Sequence, residues 1–239
     1  SGMATPTADA STRLAGLAPA TRVVAAGRPE ATAGAPVNGP IILSSTFHAG
    51  GPVGYTREGN GTWEALEEAV AALEGGRARA FASGMAAVTA VLDDVPAGAL
   101  VVAPEAAYAG VLEQLRRLQT VGRLTVRLVD ITDTDAVRDA VRGAALLWVE
   151  SPTNPLLGVA DIPALVRAAH GTGARVVVDN TFATPLLQRP LSVDADVVVH
   201  SATKYLSGHS DVLLGLTVAN DEDLDSRLTR TRTLGGAIP

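Results

Sequence analysis

A lysine lies close behind a run of three valines late in the sequence, among residues with hydroxyl groups. Residues 197–199 are typical of a strand buried on both faces. Lys204 follows that run, with Ser201 and Thr203 just before it. An amine in a partly apolar pocket has a lowered pKa and can form a Schiff base with an aldehyde, while the two hydroxyls could hold a phosphate nearby. A solvated lysine on a surface turn would show the same pattern, and these residues alone leave both interpretations open.

A run of small residues, Ser-Gly-Met-Ala-Ala at 83–87, follows a short predicted strand at 79–82. Small residues at a strand-to-helix junction let backbone N–H groups approach an anion, and the helix dipole favours negative charge there. The run lacks the Gly-Lys-Ser/Thr of a Walker loop and the glycine spacing of a dinucleotide fold. Phe81 occupies the position where a nucleophile elbow needs its first glycine. The pattern is that of a phosphate cup, for which these residues alone are a weak signal.

Three further polar residues follow predicted strands. Asp179 ends the strand predicted at 175–178, and a carboxylate in that position is costly unless it has a partner. Asn154 lies in the sequence Glu-Ser-Pro-Thr-Asn-Pro, where Asn-Pro by itself would indicate no more than a turn. Tyr108 follows the strand predicted at 100–103.

Strands and helices alternate along most of the chain. Strands are predicted at 79–82, 100–103, 124–129, 145–149, 175–178, 197–199 and 212–218, and helices at 62–74, 134–141, 162–169 and 221–233. Repeated strand–helix units predict an α/β fold with a mainly parallel sheet and helices on both faces. Ligands of such sheets bind beyond the carboxyl ends of the strands, which is where the candidate residues fall.

Composition excludes several classes of protein. The 239 residues carry a net charge of −6, which argues against a nucleic-acid partner. The sequence has no apolar stretch of about 18 residues, so no membrane span is predicted. It has no cysteine, and therefore no disulfide or thiolate metal site, while residues 4–10 are too polar for a secretory signal. His200 and His209 lack the carboxylate–histidine spacing of zinc hydrolases, so no metal is expected. A cytoplasmic enzyme is the expectation.

Several segments together resemble one known family. Residues 201–205, Ser-Ala-Thr-Lys-Tyr, with Ser-Gly-His-Ser-Asp at 207–211, resemble the cofactor-lysine segment of the Cys/Met-metabolism family of pyridoxal 5′-phosphate (PLP) enzymes. Residues 54–62, 83–87, 150–155 and 179–185 match further family segments in the same order. Gly61 replaces the usual proline of the first segment, and Ala109 and Val111 depart from the usual residues after the family's tyrosine. The resemblance implies an aminotransferase-like (fold type I) domain with PLP as cofactor.

The resemblance also implies a role for each candidate residue. Lys204 is expected to form the Schiff base, Asp179 to keep the ring nitrogen protonated, and Tyr108 to stack on the ring and assist proton transfer; these three are the predicted catalytic residues. The other predicted cofactor-binding residues are Gly84, Met85, Ser201 and Thr203 at the phosphate, Asn154 and Thr181 at the ring, and Tyr55 and Arg57, which in the family reach the phosphate of the partner subunit.

The resemblance further implies a domain organisation. Residues 1–60 are expected to form an N-terminal arm and inter-subunit segment, flexible over 1–20 and extended over 21–46. Residues 61–239 are expected to form the large PLP-binding domain. Family members continue into a small C-terminal domain that supplies the arginine for the substrate carboxylate. This domain is expected to be absent from this chain, either because the chain is a fragment or because a separate chain supplies the domain. A homodimer, or a homotetramer built as a dimer of dimers, with shared active sites is expected.

The implied reaction is a γ-elimination on a small sulfur amino acid, methionine or cystathionine. Four alternatives remain open: a cystathionine γ-synthase, an O-acylhomoserine sulfhydrylase, a cystathionine β-lyase, or a truncated PLP-binding module without activity that acts through dimerisation. The cysteine that follows the family tyrosine in many methionine γ-lyases is absent here, which weakens the methionine interpretation.

Overall fold

The computed structural model describes Leu14 and residues 16–239, which divide into two compact units. The N-terminal unit ends at Leu73, and the C-terminal unit comprises Glu74–Pro239. The flexible start predicted for residues 1–20 lies mostly outside the described residues. The division at residue 60 rests on resemblance and stays a prediction.

The N-terminal unit contains helix α1 (Pro19–Ala25) and nearly all of helix α2 (Gly61–Glu74). The prediction that residues 21–46 are extended throughout is wrong for the first five, which form most of α1. Proline in the first turn of α1 suits a helix start, and the Arg22 guanidinium donates to the carbonyl of Ala72. Gly27 has a φ of +70°, and a Cβ there would lie 2.2 Å from the Ala65 carbonyl oxygen, so only glycine fits this close approach.

The C-terminal unit is built on one seven-stranded sheet. Its strands are β1 (Arg77–Phe81), β2 (Leu100–Pro104), β3 (Thr125–Val129), β4 (Ala144–Glu150), β5 (Arg175–Asp179), β6 (Val197–Ser201) and β7 (Gly215–Ala219). Their order across the sheet is β1-β7-β6-β5-β4-β2-β3. Strand β7 pairs antiparallel with both β1 and β6, and all other pairs are parallel. All seven predicted strands are present, although β7 begins three residues later than predicted.

Helices connect these strands. They are α3 (Gly84–Asp93), α4 (Ala109–Thr120), α5 (Thr134–Ala140), α6 (Ile162–His170), the short α7 (Thr184–Leu187), a 3₁₀ turn (Pro190–Val193) and α8 (Glu222–Gly235). Side-chain oxygens of Ser83, Asp133, Asp161 and Asp221 accept backbone N–H groups at four helix starts. Among the described residues, no helix has the length and apolar character needed to cross a membrane.

The sheet has a hydrophobic core on each face. Val101 and Trp148 belong to the core that α3, α4 and α8 cover, whereas Val102 and Val149 belong to the core that α5 and α6 cover. Successive residues of a strand point to opposite faces, so these strands are buried on both sides. The expected α/β fold, mainly parallel with helices on both faces, is confirmed.

Candidate active site

A pocket lies at the carboxyl ends of the central strands, as the sequence predicts. Nine of the predicted residues line it: Gly84, Met85, Tyr108, Asn154, Asp179, Thr181, Ser201, Thr203 and Lys204. Apolar side chains line it as well, namely Val88, Val111, Pro152, Phe182, Val199 and Leu213. Five different strands contribute to this pocket through their own ends or the loops that follow them.

The turn from β1 into α3 forms one end of the pocket. The Ser83 hydroxyl caps α3 by accepting the N–H of Ala86 at 3.1 Å. A Cβ on Gly84 would lie 2.9 Å from the Cβ of Ser201, and a Cβ on Gly215 would lie 2.1 Å from the Ser83 carbonyl oxygen. These two glycines let β6 and β7 press against the turn, where the start of the helix favours an anion.

The segment after β6 carries the lysine. The backbone N–H of Lys204 donates to the Ser201 carbonyl at 3.1 Å, and the Thr203 hydroxyl accepts the N–H of Leu214 at 2.9 Å. Lys204 is exposed in this chain, contrary to the expectation of a partly buried amine. The lysine therefore lines the pocket from its open side, on a turn held by Thr203.

Asp179 ends β5 as a buried carboxyl. The backbone N–H of Thr181 donates to its Oδ1 at 3.0 Å, and the Thr181 hydroxyl accepts the N–H of Ser201 at 2.9 Å, which ties β5 to β6. Burial raises the pKa of Asp179, and the hydrogen bonds from Thr181 and the charge of His200 offset part of that rise. A buried carboxyl that still faces the pocket is suited to a positively charged partner.

A buried polar network lies beneath Asp179. His200 is fully buried, with its Nε2 2.6 Å from Glu74 Oε1, and the Asn180 amide donates to the same oxygen at 2.9 Å. His209 is instead exposed, with its Nδ1 2.8 Å from the Ser207 carbonyl oxygen. Within the part of the chain that the structure describes, no three potential metal-ligating side chains cluster together.

Glu150 is a pocket residue that the sequence analysis missed. It ends β4 in register with Asp179 on β5, and only 5% of it is exposed. Its Oε2 accepts the N–H of Tyr108 at 2.8 Å and its Oε1 accepts the N–H of Asn154 at 2.7 Å. Burial and the charge of Asp179 raise the pKa of Glu150 to about 7, against the effect of those two hydrogen bonds. The available signal was a second acidic residue ending a neighbouring buried strand.

Tyr108 and the two predicted partner-subunit residues lie in different units. Tyr108 is the residue before the first turn of α4, and its ring lies so close to Gly110 that a Cβ there would be 2.6 Å from Tyr108 Cε1. Tyr55 and Arg57 belong to the N-terminal unit, where the guanidinium carbon lies 5.0 Å from the Tyr55 ring centroid. Their role toward a partner subunit stays a prediction.

The donor set of the pocket fits PLP, which carries a phosphate, an aldehyde and a basic ring nitrogen. The turn at Gly84 suits the phosphate, because the neighbouring backbone comes too close for a Cβ there. Lys204 offers an amine on the same pocket, and Asp179 offers a buried carboxyl at its base. A residue suited to each of the three chemical groups of the cofactor is therefore present.

Comparison with known proteins agrees with this fit. The family model for Cys/Met metabolism PLP-dependent enzymes matches residues 20–239. Cystathionine gamma-synthase of Mycobacterium bovis is 46% identical over 231 residues, which cover 92% of this chain. Cystathionine beta-lyase MetC of Bacillus subtilis is 42% identical over 209 residues, which cover 84% of this chain and 54% of the relative.

A solved structure gives the same result. CalE6 from Micromonospora echinospora, described as a cystathione gamma lyase and, in its apo form, as a methionine gamma lyase, superposes with a TM-score of 0.88 at 41% identity. The match covers 94% of this chain and about 61% of CalE6. The chain likewise spans 59% of the length of the mycobacterial relative. The matched residues and the pocket chemistry together show that this chain belongs to the Cys/Met metabolism family of PLP-dependent enzymes.

Proposed function

We propose that the protein cleaves the bond between Cγ and sulfur in methionine or cystathionine by a PLP-dependent γ-elimination. One observation carries the proposal: the Lys204 amine, the buried Asp179 carboxyl and the Gly84 turn share a single pocket. Membership of the family supports the cofactor. The names of the relatives support a sulfur amino acid as the substrate class.

Different residues around the pocket bind different parts of the cofactor. Gly84, Met85, Ser201 and Thr203 bind the phosphate, and Asn154 and Thr181 contact the ring. The Thr203 hydroxyl forms hydrogen bonds with the backbone of Leu214, so it would divide its bonds between that backbone and the phosphate.

The three proposed catalytic residues supply proton chemistry. Bound PLP supplies an aldehyde that reacts with amines and a ring that withdraws electrons from the substrate's Cα. Asp179 keeps a proton on the ring nitrogen, because a buried carboxylate is stabilised by a positive partner. Lys204 Nζ would hold the cofactor through its aldehyde; once the substrate amine has replaced it there, the freed Nζ would take the Cα proton of the substrate and move protons at Cβ. The Tyr108 ring covers the cofactor, and its hydroxyl assists proton transfer.

A homodimer or homotetramer is part of this proposal. Tyr55 and Arg57 of one copy then bind the cofactor phosphate of a neighbouring copy. Arginine suits this role because its guanidinium is permanently charged and offers several donors to an anion.

A second candidate is γ-replacement, in which a thiol takes the place of the leaving group at Cγ. The cystathionine gamma-synthase name of the mycobacterial relative, at 46% identity, favours it. The two reactions differ in their product: γ-elimination releases a 2-oxo acid, whereas γ-replacement joins an O-acylhomoserine to cysteine. Assaying both products with the same preparation separates them.

The test is an absorbance spectrum of the purified protein with PLP, before and after L-methionine and L-cystathionine. We expect a visible band that changes with substrate while a 2-oxo acid accumulates. Lys204 is the only lysine among the 239 residues, so borohydride reduction should place the cofactor's mass on one peptide of this chain. Lys204→Ala should lose the band, and Lys204→Arg, which keeps the charge, should lose it too. A band that persists in both variants would sink the assignment.

A further inference from the structure

Glu150 is a buried carboxyl to which the proposed chemistry gives no role. It lies at the end of β4 and is 5% exposed. Each of its oxygens accepts one backbone N–H: Oε2 that of Tyr108 at 2.8 Å, and Oε1 that of Asn154 at 2.7 Å. A carboxylate that accepts backbone N–H groups makes stronger hydrogen bonds than a neutral acceptor does.

The two amides come from two different loops around the pocket. Tyr108 ends the loop between β2 and α4, and Asn154 lies in the loop that follows β4. Both side chains line the pocket. Tyr108 directly precedes α4, and its own side chain makes no cap hydrogen bond, so the Glu150 carboxylate also supplies negative charge at that helix start. One carboxyl therefore fixes the backbone beneath both side chains.

We propose that Glu150 is a positioning residue that holds Tyr108 and Asn154 where they meet the cofactor ring. The carboxyl of Glu150 and the two backbone amides are called the Glu150 clamp below. The part of this inference that concerns the cofactor rests on the proposed function. The clamp itself is a property of the chain and can be measured without the cofactor.

The charge of Glu150 makes the clamp dependent on pH. Burial, then the charge of Asp179, raises the pKa of Glu150 to about 7. The other titratable groups lining this pocket are the Tyr108 phenol and the Lys204 amine, and His200 lies beneath Asp179. When Glu150 is ionised, both of its oxygens can accept hydrogen bonds. When it is protonated, one oxygen carries a hydrogen and is a poorer acceptor. The clamp is therefore expected to tighten as the pH rises through 7.

The experiment is hydrogen–deuterium exchange of the purified protein without cofactor, following peptides that span residues 105–111 and 151–157. In the parent protein, protection of both peptides, corrected for the intrinsic rate, should rise between pH 6 and pH 8. In Glu150→Gln, an NH2 group replaces one of the two accepting oxygens, and this group donates hydrogen bonds. Protection should fall about tenfold or more and lose its pH dependence, because a hydrogen bond to a charged group is lost.

The test includes control variants and a second measurement, the dissociation constant for PLP. Glu105→Gln makes the same chemical change at an exposed position in the same loop, and it should behave as the parent does. Glu150→Asp keeps the charge on a shorter side chain and should recover part of the protection and its pH dependence. The dissociation constant for PLP should rise about tenfold or more in Glu150→Gln and stay unchanged in Glu105→Gln.

The possible outcomes separate the clamp from the proposed function. Flat protection between pH 6 and pH 8 in the parent overturns the pH dependence of the clamp, and this profile needs no variant that might misfold. Unchanged protection in Glu150→Gln overturns the clamp itself. If the parent binds no PLP, the proposed function fails, and the exchange data still decide on the clamp.

Discussion

Two carboxyl groups lie side by side in the pocket, and their surroundings give them different tasks. Asp179 and Glu150 end neighbouring strands in register. Backbone amides from two loops occupy both oxygens of Glu150, whereas Asp179 accepts bonds from Thr181 alone among the contacts described. Asp179 is therefore the carboxyl that remains available to a positively charged ligand, and Glu150 supports the backbone around it.

The charge of Asp179 should matter for activity and not for stability. Asp179→Asn keeps the size of the side chain and an oxygen that can accept the Thr181 N–H. We expect turnover to fall about 100-fold or more, because fixed charge at a reacting centre contributes on that scale. Burial raises the pKa of Asp179, so its ionised form destabilises the folded apo protein at pH 8. The free energy of unfolding of the variant at pH 8 should therefore not fall below that of the parent.

Steady-state kinetics and denaturant unfolding of the apo protein check this prediction. Asp194→Asn is the matched control, because Asp194 is exposed and its left-handed backbone tolerates asparagine. A kcat for Asp179→Asn within about threefold of the parent would contradict the proposed role.

Single site residues could be predicted from the sequence where a charged side chain comes at the end of a predicted buried strand. Asp179 stood out because an acid at the end of a valine-rich strand needs a partner. Glu150 has the same position on the neighbouring strand β4, but it opens a segment whose prolines and asparagine indicate a turn, and a turn favours an exposed side chain. The partners of Glu150 are backbone N–H groups, and such partners cannot be recognised from the types of the residues that carry them.

Strand β7 shapes the turn between β1 and α3 through its first residue. A Cβ on Gly215 would lie 2.1 Å from the Ser83 carbonyl oxygen and 2.7 Å from the Gly84 nitrogen, so one of these elements must move if alanine is introduced. Gly215→Ala should lower the free energy of unfolding by about 1–3 kcal/mol, the usual cost of overpacking. It should also weaken PLP binding, because the displaced backbone is the proposed phosphate site.

Thermal unfolding and a PLP titration measure the two effects. Gly235→Ala is the matched control, since a Cβ at this glycine within α8 has open space around it. That substitution should leave PLP affinity unchanged and stability equal or slightly higher. Equal behaviour of the two alanine variants would show that the close approach of β7 has no bearing on the site.

The strands could be predicted from the sequence, but their directions and exact bounds could be predicted less well. Apolar runs located the central strands, because strands buried on both faces need continuous hydrophobic residues. The edge strands β1 and β3 were also predicted, although both contain arginine and β3 is largely exposed. The reversed direction of β7 was not predictable, since a hydrophobic run has no direction. The start of β7 was placed at 212, three residues early, because residues 212–214 are apolar but lie before the strand, with Leu213 lining the pocket. Helix α4 has no counterpart among the predicted helices.

At the scale of the whole C-terminal unit, a buried network joins distant parts of the chain. Glu74 lies at the end of α2, Asn180 follows β5 and His200 lies on β6, and the side chains of all three meet at Glu74 Oε1. Removing one partner of a buried hydrogen bond leaves the other unsatisfied, and replacing a large buried side chain with alanine also leaves a cavity. His200→Ala should therefore lower the free energy of unfolding by about 2–4 kcal/mol.

Denaturant unfolding at pH 7 checks this value against His209→Ala. His209 is exposed and should change stability by less than about 0.5 kcal/mol. A loss below about 1 kcal/mol for His200→Ala would show that the network contributes little. Because the charge of His200 lowers the pKa of Asp179, the same variant should also raise the pKa of that carboxyl.

The antiparallel placement of β7 has a consequence for biosynthesis. Strand β1 pairs with β7, so Arg77 lies beside Ala219, and β7 separates β1 from β6 in the sheet. The turn at Gly84 and the residues around Lys204 therefore come together only once β7 is inserted between their strands. A ribosome must have released nearly all of these 239 residues before that can happen, and contacts between distant segments form slowly. We therefore expect PLP to bind late in synthesis. A nascent chain that reaches Lys204 but ends before residue 219 has the amine, but it lacks the assembled pocket that would hold the aldehyde of PLP.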